Sequence, residues 1–132
     1  PGSMLISQIR SKYPDLSIVT IPGPSALVSA LSISGVPTHE FIFLGFMPHK
    51  KGRETLFKEI AETDRTVVFY ESTHRILKTL ESLKSINKKI TIARELTKIY
   101  EEIIQGSAEE ILEILTKTPE KQKGEFVVIV SN

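Results

Sequence analysis

The sequence predicts a single α/β domain built on a mixed sheet of about five to six strands flanked by helices. Three observations carry that expectation. Short β-branched runs alternate with stretches of helical periodicity along the whole chain, which is the pattern of a layered α/β architecture. The 132 residues are 40% apolar and 25% charged, an ordinary globular balance in a length that fits one domain. The fourth and fifth predicted strands are separated by a hairpin-length step, so the sheet is expected to mix parallel and antiparallel neighbours.

Each element follows in order. Met4 to Lys12 is compatible with a short helix, ended by Tyr13-Pro14-Asp15. Ser17 to Ile21 (SIVTI) has the composition of a strand. Pro22-Gly23-Pro24-Ser25 fits neither helix nor strand interior, and Ala26 to Ser34 is then a helix closed by Gly35-Val36-Pro37. Phe41 to Phe46 is a second strand. Met47 to Arg53 is a basic loop, and Glu54 to Thr63 a helix with Leu56, Phe57 and Ile60 on one face. Thr66 to Tyr70 is a continuous apolar run, expected at the centre of the sheet. Ser72 or Thr73 is the expected cap of the next helix, whose stripe is Ile76, Leu77, Leu80 and Leu83. Ile90 to Ala93 and Glu101 to Gln105 are the fourth and fifth strands. Ser107-Ala108-Glu109-Glu110 has the form of a capping box and opens a helix through Leu115. After a polar loop, Phe126 to Val130 is a last buried strand.

Composition excludes several classes. With no cysteine, disulfide scaffolds and thiolate-bound zinc or iron–sulfur sites are ruled out. A reducing, cytoplasmic setting is the natural expectation. No apolar run approaches the roughly 20 residues of a membrane span, and no signal peptide is evident. A net charge of +1 does not announce a nucleic-acid binder, so any basic patch is local. The chain contains no Gly-x-Gly-x-x-Gly, no Walker-type loop, no His-Glu-x-x-His and no Gly-x-Ser-x-Gly elbow.

Four loops carry residues suited to chemistry, at strand ends where α/β sheets bind ligands. Pro22-Gly23-Pro24-Ser25-Ala26 is either a plain turn or a rigid rim that offers a helix start to a polar ligand. Tyr70-Glu71-Ser72-Thr73-His74-Arg75 crowds ionisable groups at a buried strand's end. His74 there is an acid/base candidate or a solvated side chain, and Glu71 and Arg75 are a candidate pair. Arg94-Glu95-Leu96-Thr97-Lys98, with Glu101-Glu102, is either a salt-bridged surface or a phosphate contact through Arg94 and Lys98. His49-Lys50-Lys51-Gly52-Arg53 is a solvated loop or a phosphate-facing one.

Taken together these motifs form a series. Ile21-Pro22-Gly23-Pro24-Ser25-Ala26, Phe43-Leu44-Gly45-Phe46-Met47-Pro48, Phe69 to Arg75, Ala93 to Lys98, and Lys123-Gly124-Glu125-Phe126-Val127 occur in one order and spacing. That series closely resembles the C-terminal half of the tetrapyrrole methylase superfamily members that 2′-O-methylate a cytidine of 16S rRNA. The resemblance covers nearly the whole chain. It implies a two-domain enzyme with S-adenosylmethionine in the cleft between its domains, and it makes residues 1–132 the C-terminal domain.

Further implications attach to particular residues. Pro24, Ser25 and Ala26 would border the donor cleft, Tyr70 and Glu71 would lie near the adenosine, and Gly124, Glu125 and Phe126 would form another wall. Lys50, Lys51, Arg53, Arg75, Arg94 and Lys98 are the candidates for the RNA side, more on charge than on motif. Glu71, His74 and Glu95 are conceivable proton acceptors, with none singled out. The partners implied are 16S rRNA in the small ribosomal subunit and a second copy in a homodimer. Pro1-Gly2 fits the register of the family's Asp-Pro-Gly element, so the chain is expected to be a fragment lacking the donor-loop domain and inactive alone. Two other classes stay open: a sister enzyme acting on a tetrapyrrole, and a non-catalytic dimerisation or binding module.

Overall fold

The computed structural model describes residues 2–132; Pro1, half of the Pro1-Gly2 pair, lies outside them. Five strands and five α-helices follow one another as α1 (Gly2–Lys12), α2 (Ala26–Ser34), β1 (Phe41–Phe46), α3 (Arg53–Glu62), β2 (Thr66–Ser72), α4 (Ile76–Leu83), β3 (Lys89–Arg94), β4 (Glu102–Gly106), α5 (Ala108–Lys117) and β5 (Glu125–Ser131), with a 3-10 turn at Pro119–Gln122 before β5. The sheet order is β1-β2-β5-β3-β4. β1 and β2 are parallel, and β5 runs antiparallel between β2 and β3. β3 and β4 form the expected antiparallel pair. The sheet is therefore mixed, as its sequence implies.

Alternation along the strands decides the two faces. Val67 and Phe69 of β2, Phe126, Val128 and Val130 of β5, and Ile90 and Ile92 of β3 pack into the larger core, which α3, α4 and α5 cover. Val68, Val127, Ile129 and Ala93 point the other way, onto Ala30 and Leu31 of α2. The β2 and β5 runs are apolar on both faces because both strands are central. The capping box forms: Ser107 Oγ accepts from the Glu110 N–H (3.2 Å), and Glu110 Oε2 accepts from the Ser107 N–H (2.8 Å).

Two expectations are corrected. Ser17–Ile21 is extended but joins no ladder among the described residues, so the sheet has five strands. β-branched residues suit a pleated surface, but a strand needs a partner for its N–H and C=O groups and a layer for its side chains. Here Val19 is 80% and Ile21 90% exposed. α1 likewise buries no residue. The second correction concerns the cap of α4. Ser72 stays in β2, Arg75 occupies the cap position without a side-chain bond, and the Thr73 hydroxyl is engaged elsewhere.

Candidate functional site

The C-terminal end of β2, the N-terminal end of β5 and the start of α2 meet around a cleft of about 520 Å³. Its lining includes Ala26, Tyr70, Glu71, Gly124, Glu125 and Phe126, so six of the eight residues expected to border a donor come together here. Pro24 and Ser25 stand directly before Ala26, outside the lining. Ser25 is the N-cap residue of α2, and its side chain makes no cap hydrogen bond. Phe46, Ser72, Thr73, His74 and Val127 complete the wall. Of the ionisable candidates, His74 is exposed at this wall and enters no ion pair among the described residues.

Three polar devices hold the cleft's rim. The first is a staple. The Thr73 hydroxyl donates to the Gly124 carbonyl (2.8 Å) and accepts from the Gly124 N–H (3.0 Å). It ties the β2–α4 turn to the entry of β5, which explains why Thr73 does not cap α4.

The second is buried. The Glu71 side chain is fully inaccessible. Its Oε1 accepts from the Ser72 N–H (2.8 Å) and is ion-paired with Arg75 Nε at 2.9 Å, while that Nε–H donates to Ser72 Oγ (3.3 Å). Its Oε2 accepts from the Thr79 hydroxyl (2.6 Å), with Arg53 Nη1 at 3.8 Å. Arg53 also donates to Thr79 Oγ1 (2.7 Å) and to the Pro48 carbonyl (3.3 Å), and Arg75 donates to the Met47 carbonyl (2.8 Å). Burial pushes the Arg53 guanidinium below its usual range, Glu71 opposes that shift, and Arg75 adds to it. The network fixes the Met47–Pro48 backbone against β2 and α4.

The third device lies across β5. Glu95 (φ 49°) and Thr97 (φ 65°) take left-handed conformations that side chains other than glycine's rarely adopt. That turn lays the Glu95 side chain over Gly124. A Cβ on Gly124 would sit 2.6 Å from Glu95 Cγ, and Gly124 itself has φ 111°, so only glycine fits. Glu95 Oε1 accepts from the Glu125 N–H (2.8 Å) and from Lys98 Nζ (3.0 Å), while Lys98 also donates to Glu125 Oε2 (2.9 Å). The Glu125 N–H and then Lys98 hold the Glu95 carboxyl below the usual carboxylate range. The two carboxylates, Glu125 first, raise the Lys98 ammonium above its usual value.

The linkage has a definite sign. A depressed carboxyl stabilises the fold fully above its unfolded pKa, and loses that contribution as pH falls through the folded value. Glu95→Gln is therefore expected to unfold at lower urea than the parent at pH 7. The gap should narrow toward pH 3, as followed by circular dichroism. A gap that is constant with pH would remove the charge from this account.

The expected RNA-side residues divide. Lys50 and Lys51 are exposed and enter no ion pair among the described residues. Arg53 and Arg75 are committed to Glu71 and the Met47–Pro48 carbonyls. Arg94 is buried and donates to the carbonyls of Lys123 (2.8 Å), Tyr100 (3.0 Å) and Glu120 (3.2 Å). Lys98 is held by two carboxylates. Each of these four cations holds internal acceptors and so braces the fold, with Lys98 still partly exposed. Of the proton-acceptor candidates, Glu71 has both oxygens engaged, and Glu95 has Oε1 engaged by the Glu125 N–H and Lys98.

The chain as a whole finds parallels among known proteins. A family model described as Tetrapyrrole (Corrin/Porphyrin) Methylases matches residues 1–112. The chain is 42% identical to the ribosomal RNA small subunit methyltransferase I of Haemophilus influenzae, over 98% of this chain and 47% of that protein. It is 44% identical to the protein of the same name from Hydrogenobaculum sp., over 99% of this chain and 56% of that one. The chain thus spans about half the length of the curated relatives it matches. Among solved structures, the methyltransferase CobJ superposes with a TM-score of 0.63 at 24% identity, covering 98% of this chain and 58% of its own. A uroporphyrin-III C-methyl transferase from Thermus thermophilus, complexed with S-adenyl homocysteine, superposes with a TM-score of 0.60 at 16% identity, covering 99% of this chain and 58% of its own. These two likenesses speak for the fold. With its five-stranded mixed sheet and the family model matched through residue 112, the chain belongs to the tetrapyrrole (corrin/porphyrin) methylase family.

Proposed function

We propose that this chain is the C-terminal domain of a two-domain, S-adenosylmethionine-dependent methyltransferase that acts on a cytidine ribose 2′-oxygen of 16S rRNA in the small ribosomal subunit. The observation that carries the reading is the convergence of Ala26, Tyr70, Glu71, Gly124, Glu125 and Phe126 on one cleft. The names of the relatives support the RNA substrate. The cleft suits the donor's nucleoside. Its volume lies in the range of small-molecule sites, it offers the aromatic ring of Tyr70, and Ser25 leaves a hydroxyl unused at a helix start. The donor, when bound, supplies an electrophilic methyl carbon.

What this chain contributes is position. Methyl transfer needs oxygen, carbon and sulfur in line, and misplacement of about 1 Å can cost a hundredfold in rate. The Thr73–Gly124 staple and the Glu71 network set the cleft's wall to that tolerance. The ribose hydroxyl must also lose its proton. Of the proton-acceptor candidates, His74 lines the cleft and lies outside the ion pairs of the described residues. The enzyme works in the cytoplasm as a homodimer, and this domain alone binds donor weakly and does not turn over. No helix among the described residues is long and apolar enough to cross a membrane.

Two arms test the reading in the complete gene product. Ser25→Trp and Tyr70→Ala are each expected to weaken donor binding at least about tenfold by calorimetry, the equivalent of one lost aromatic or hydrogen-bond contact. Unchanged affinity in both variants would sink the cleft assignment. Replacing Lys50 and Lys51 by alanine together is expected to lower the salt slope of RNA binding by about 1.5, since each phosphate contact to a single strand contributes about 0.7. An unaltered slope rejects that loop as the RNA side.

A further inference from the structure

Phe46 is an aromatic ring held at the lip of the cleft with nothing over it. It is 65% exposed. Its place follows from the sequence of β1. The register against β2 shifts between Phe43 and Phe46, and Gly45 at φ 66° makes the bulge. Bulges re-aim side chains next to functional sites, and this one turns Phe46 into the cleft lining beside Tyr70. Tyr70 stands edge-on to Phe46 (5.4 Å between ring centres) and to Phe43 (5.0 Å).

The ring is also anchored. Met47, the next residue, is buried, and its carbonyl accepts from Arg75. The carbonyl of Pro48 accepts from Arg53. Buried Arg53 and half-buried Arg75 thus clamp the backbone directly after Phe46. Beyond the clamp come His49, Lys50 and Lys51, exposed and outside every ion pair among the described residues. A fixed, open aromatic face followed within five residues by two free cations has the chemistry that binds a single-stranded nucleic acid. Such proteins stack bases on aromatic rings and neutralise the flanking phosphates with lysines.

We propose that Phe46 is the platform on which a splayed nucleobase of the single-stranded RNA substrate stacks, with Lys50 and Lys51 meeting the adjoining phosphates. The proposal rests on the RNA-methyltransferase reading above and assigns to it a positioning residue that fixes which nucleotide enters. Charge complementarity favours this occupant over a second copy of the chain, since unpaired lysines beside the ring would be left facing protein.

The test uses the complete gene product with Phe46→Ala, Phe46→Leu and Phe46→Tyr. Three quantities are measured: donor affinity by calorimetry, kcat and KM for methylation of small ribosomal subunits, and affinity for a single-stranded oligoribonucleotide by fluorescence anisotropy. Phe46→Ala is expected to raise KM and weaken oligoribonucleotide binding about tenfold to a hundredfold, with kcat and donor affinity within about twofold. Phe46→Leu should be nearly as poor, because it keeps apolar bulk without a π face. Phe46→Tyr should restore binding.

A leucine variant equal to wild type would overturn the proposal and make the ring a patch covered by protein. So would a parallel loss of donor affinity, which would place the ring in the donor wall, or a dimer that dissociates on Phe46→Ala in sedimentation. If the wild-type protein fails to methylate small subunits, the functional reading fails by itself. Oligoribonucleotide binding then still decides the platform, and equal affinity of Phe46→Ala and wild type overturns it.

Discussion

Glu71→Ala is expected to lower the unfolding free energy by about 3–5 kcal/mol, the usual loss when one member of a buried charge network is removed. The carboxylate has no exposure, and both of its oxygens are engaged. Its loss leaves the Arg53 and Arg75 guanidinium groups without their carboxylate, with only Ser72, Thr79 and backbone carbonyls as partners. A domain of ordinary size has about 5–15 kcal/mol in all, so the variant should sit near the edge of folding. With a urea slope of about 1–3 kcal/mol per molar, the midpoint should fall by about 2 M. Glu71→Gln keeps the shape and one acceptor, and should cost less. A triple replacement of Glu71, Arg53 and Arg75 by apolar residues should regain much of the loss, since such networks often roughly break even against well-packed hydrocarbon. A Glu71→Ala midpoint within 0.3 M of the parent, on the order of measurement error, would mean that water or relaxation satisfies the two arginines.

The second large effect is expected at Gly124. Gly124→Ala meets two obstacles, a backbone conformation of φ 111° and the Glu95 side chain at 2.6 Å from the new Cβ. Strain of the first kind is worth about 1–3 kcal/mol, and the clash adds to it. Donor binding in the complete protein should fall as well, because Gly124 and Glu125 line the cleft. Shortening the obstruction separates the two causes. Glu95→Ala with Gly124→Ala should recover the steric part and leave the conformational part. Additive losses in that double variant, measured by urea unfolding, would show that the side chain moves aside freely and that the contact is immaterial.

Most of the architecture was legible in the chain, and the failures are instructive. Val67 to Tyr70 of β2 and Phe126 to Val130 of β5 are continuous apolar runs, which marks central strands. The 107–110 capping box could be read directly because its chemistry is local. Ser17–Ile21 misled because propensity describes a residue's fit to a sheet and says nothing of whether a partner strand is present. The placement of β5 between β2 and β3 is a pairing of distant segments, which no local pattern encodes.

The arginines misled for a different reason. Charge suggests a surface, yet period-two counting puts Arg94 on the face of Ile90 and Ile92, and Glu71 on the face of Val67 and Phe69. Arg53, Phe57 and Ile60 share one buried side of α3 by the helical count. The signal that these charges point inward was in the spacing. Phe46 escaped notice because its exposure depends on a bulge one residue earlier, and the alternation of β1 hides it.

The sheet order has a consequence for how the chain is born. β1 and β2 make one parallel pair and β3 and β4 one hairpin, and within the sheet β5 alone joins them. Until residues 125–131 emerge and slide between β2 and β3, each half presents an open hydrophobic edge. Those pairings join residues far apart in sequence, Val67 with Val130 and Arg94 with Phe126, so their closure is an entropically costly step of folding. A nascent or truncated chain ending before Glu125 is then two unjoined half-sheets, a species prone to pair with its neighbours. β5 is the keystone of this sheet, and the cleft beside it cannot exist before it arrives.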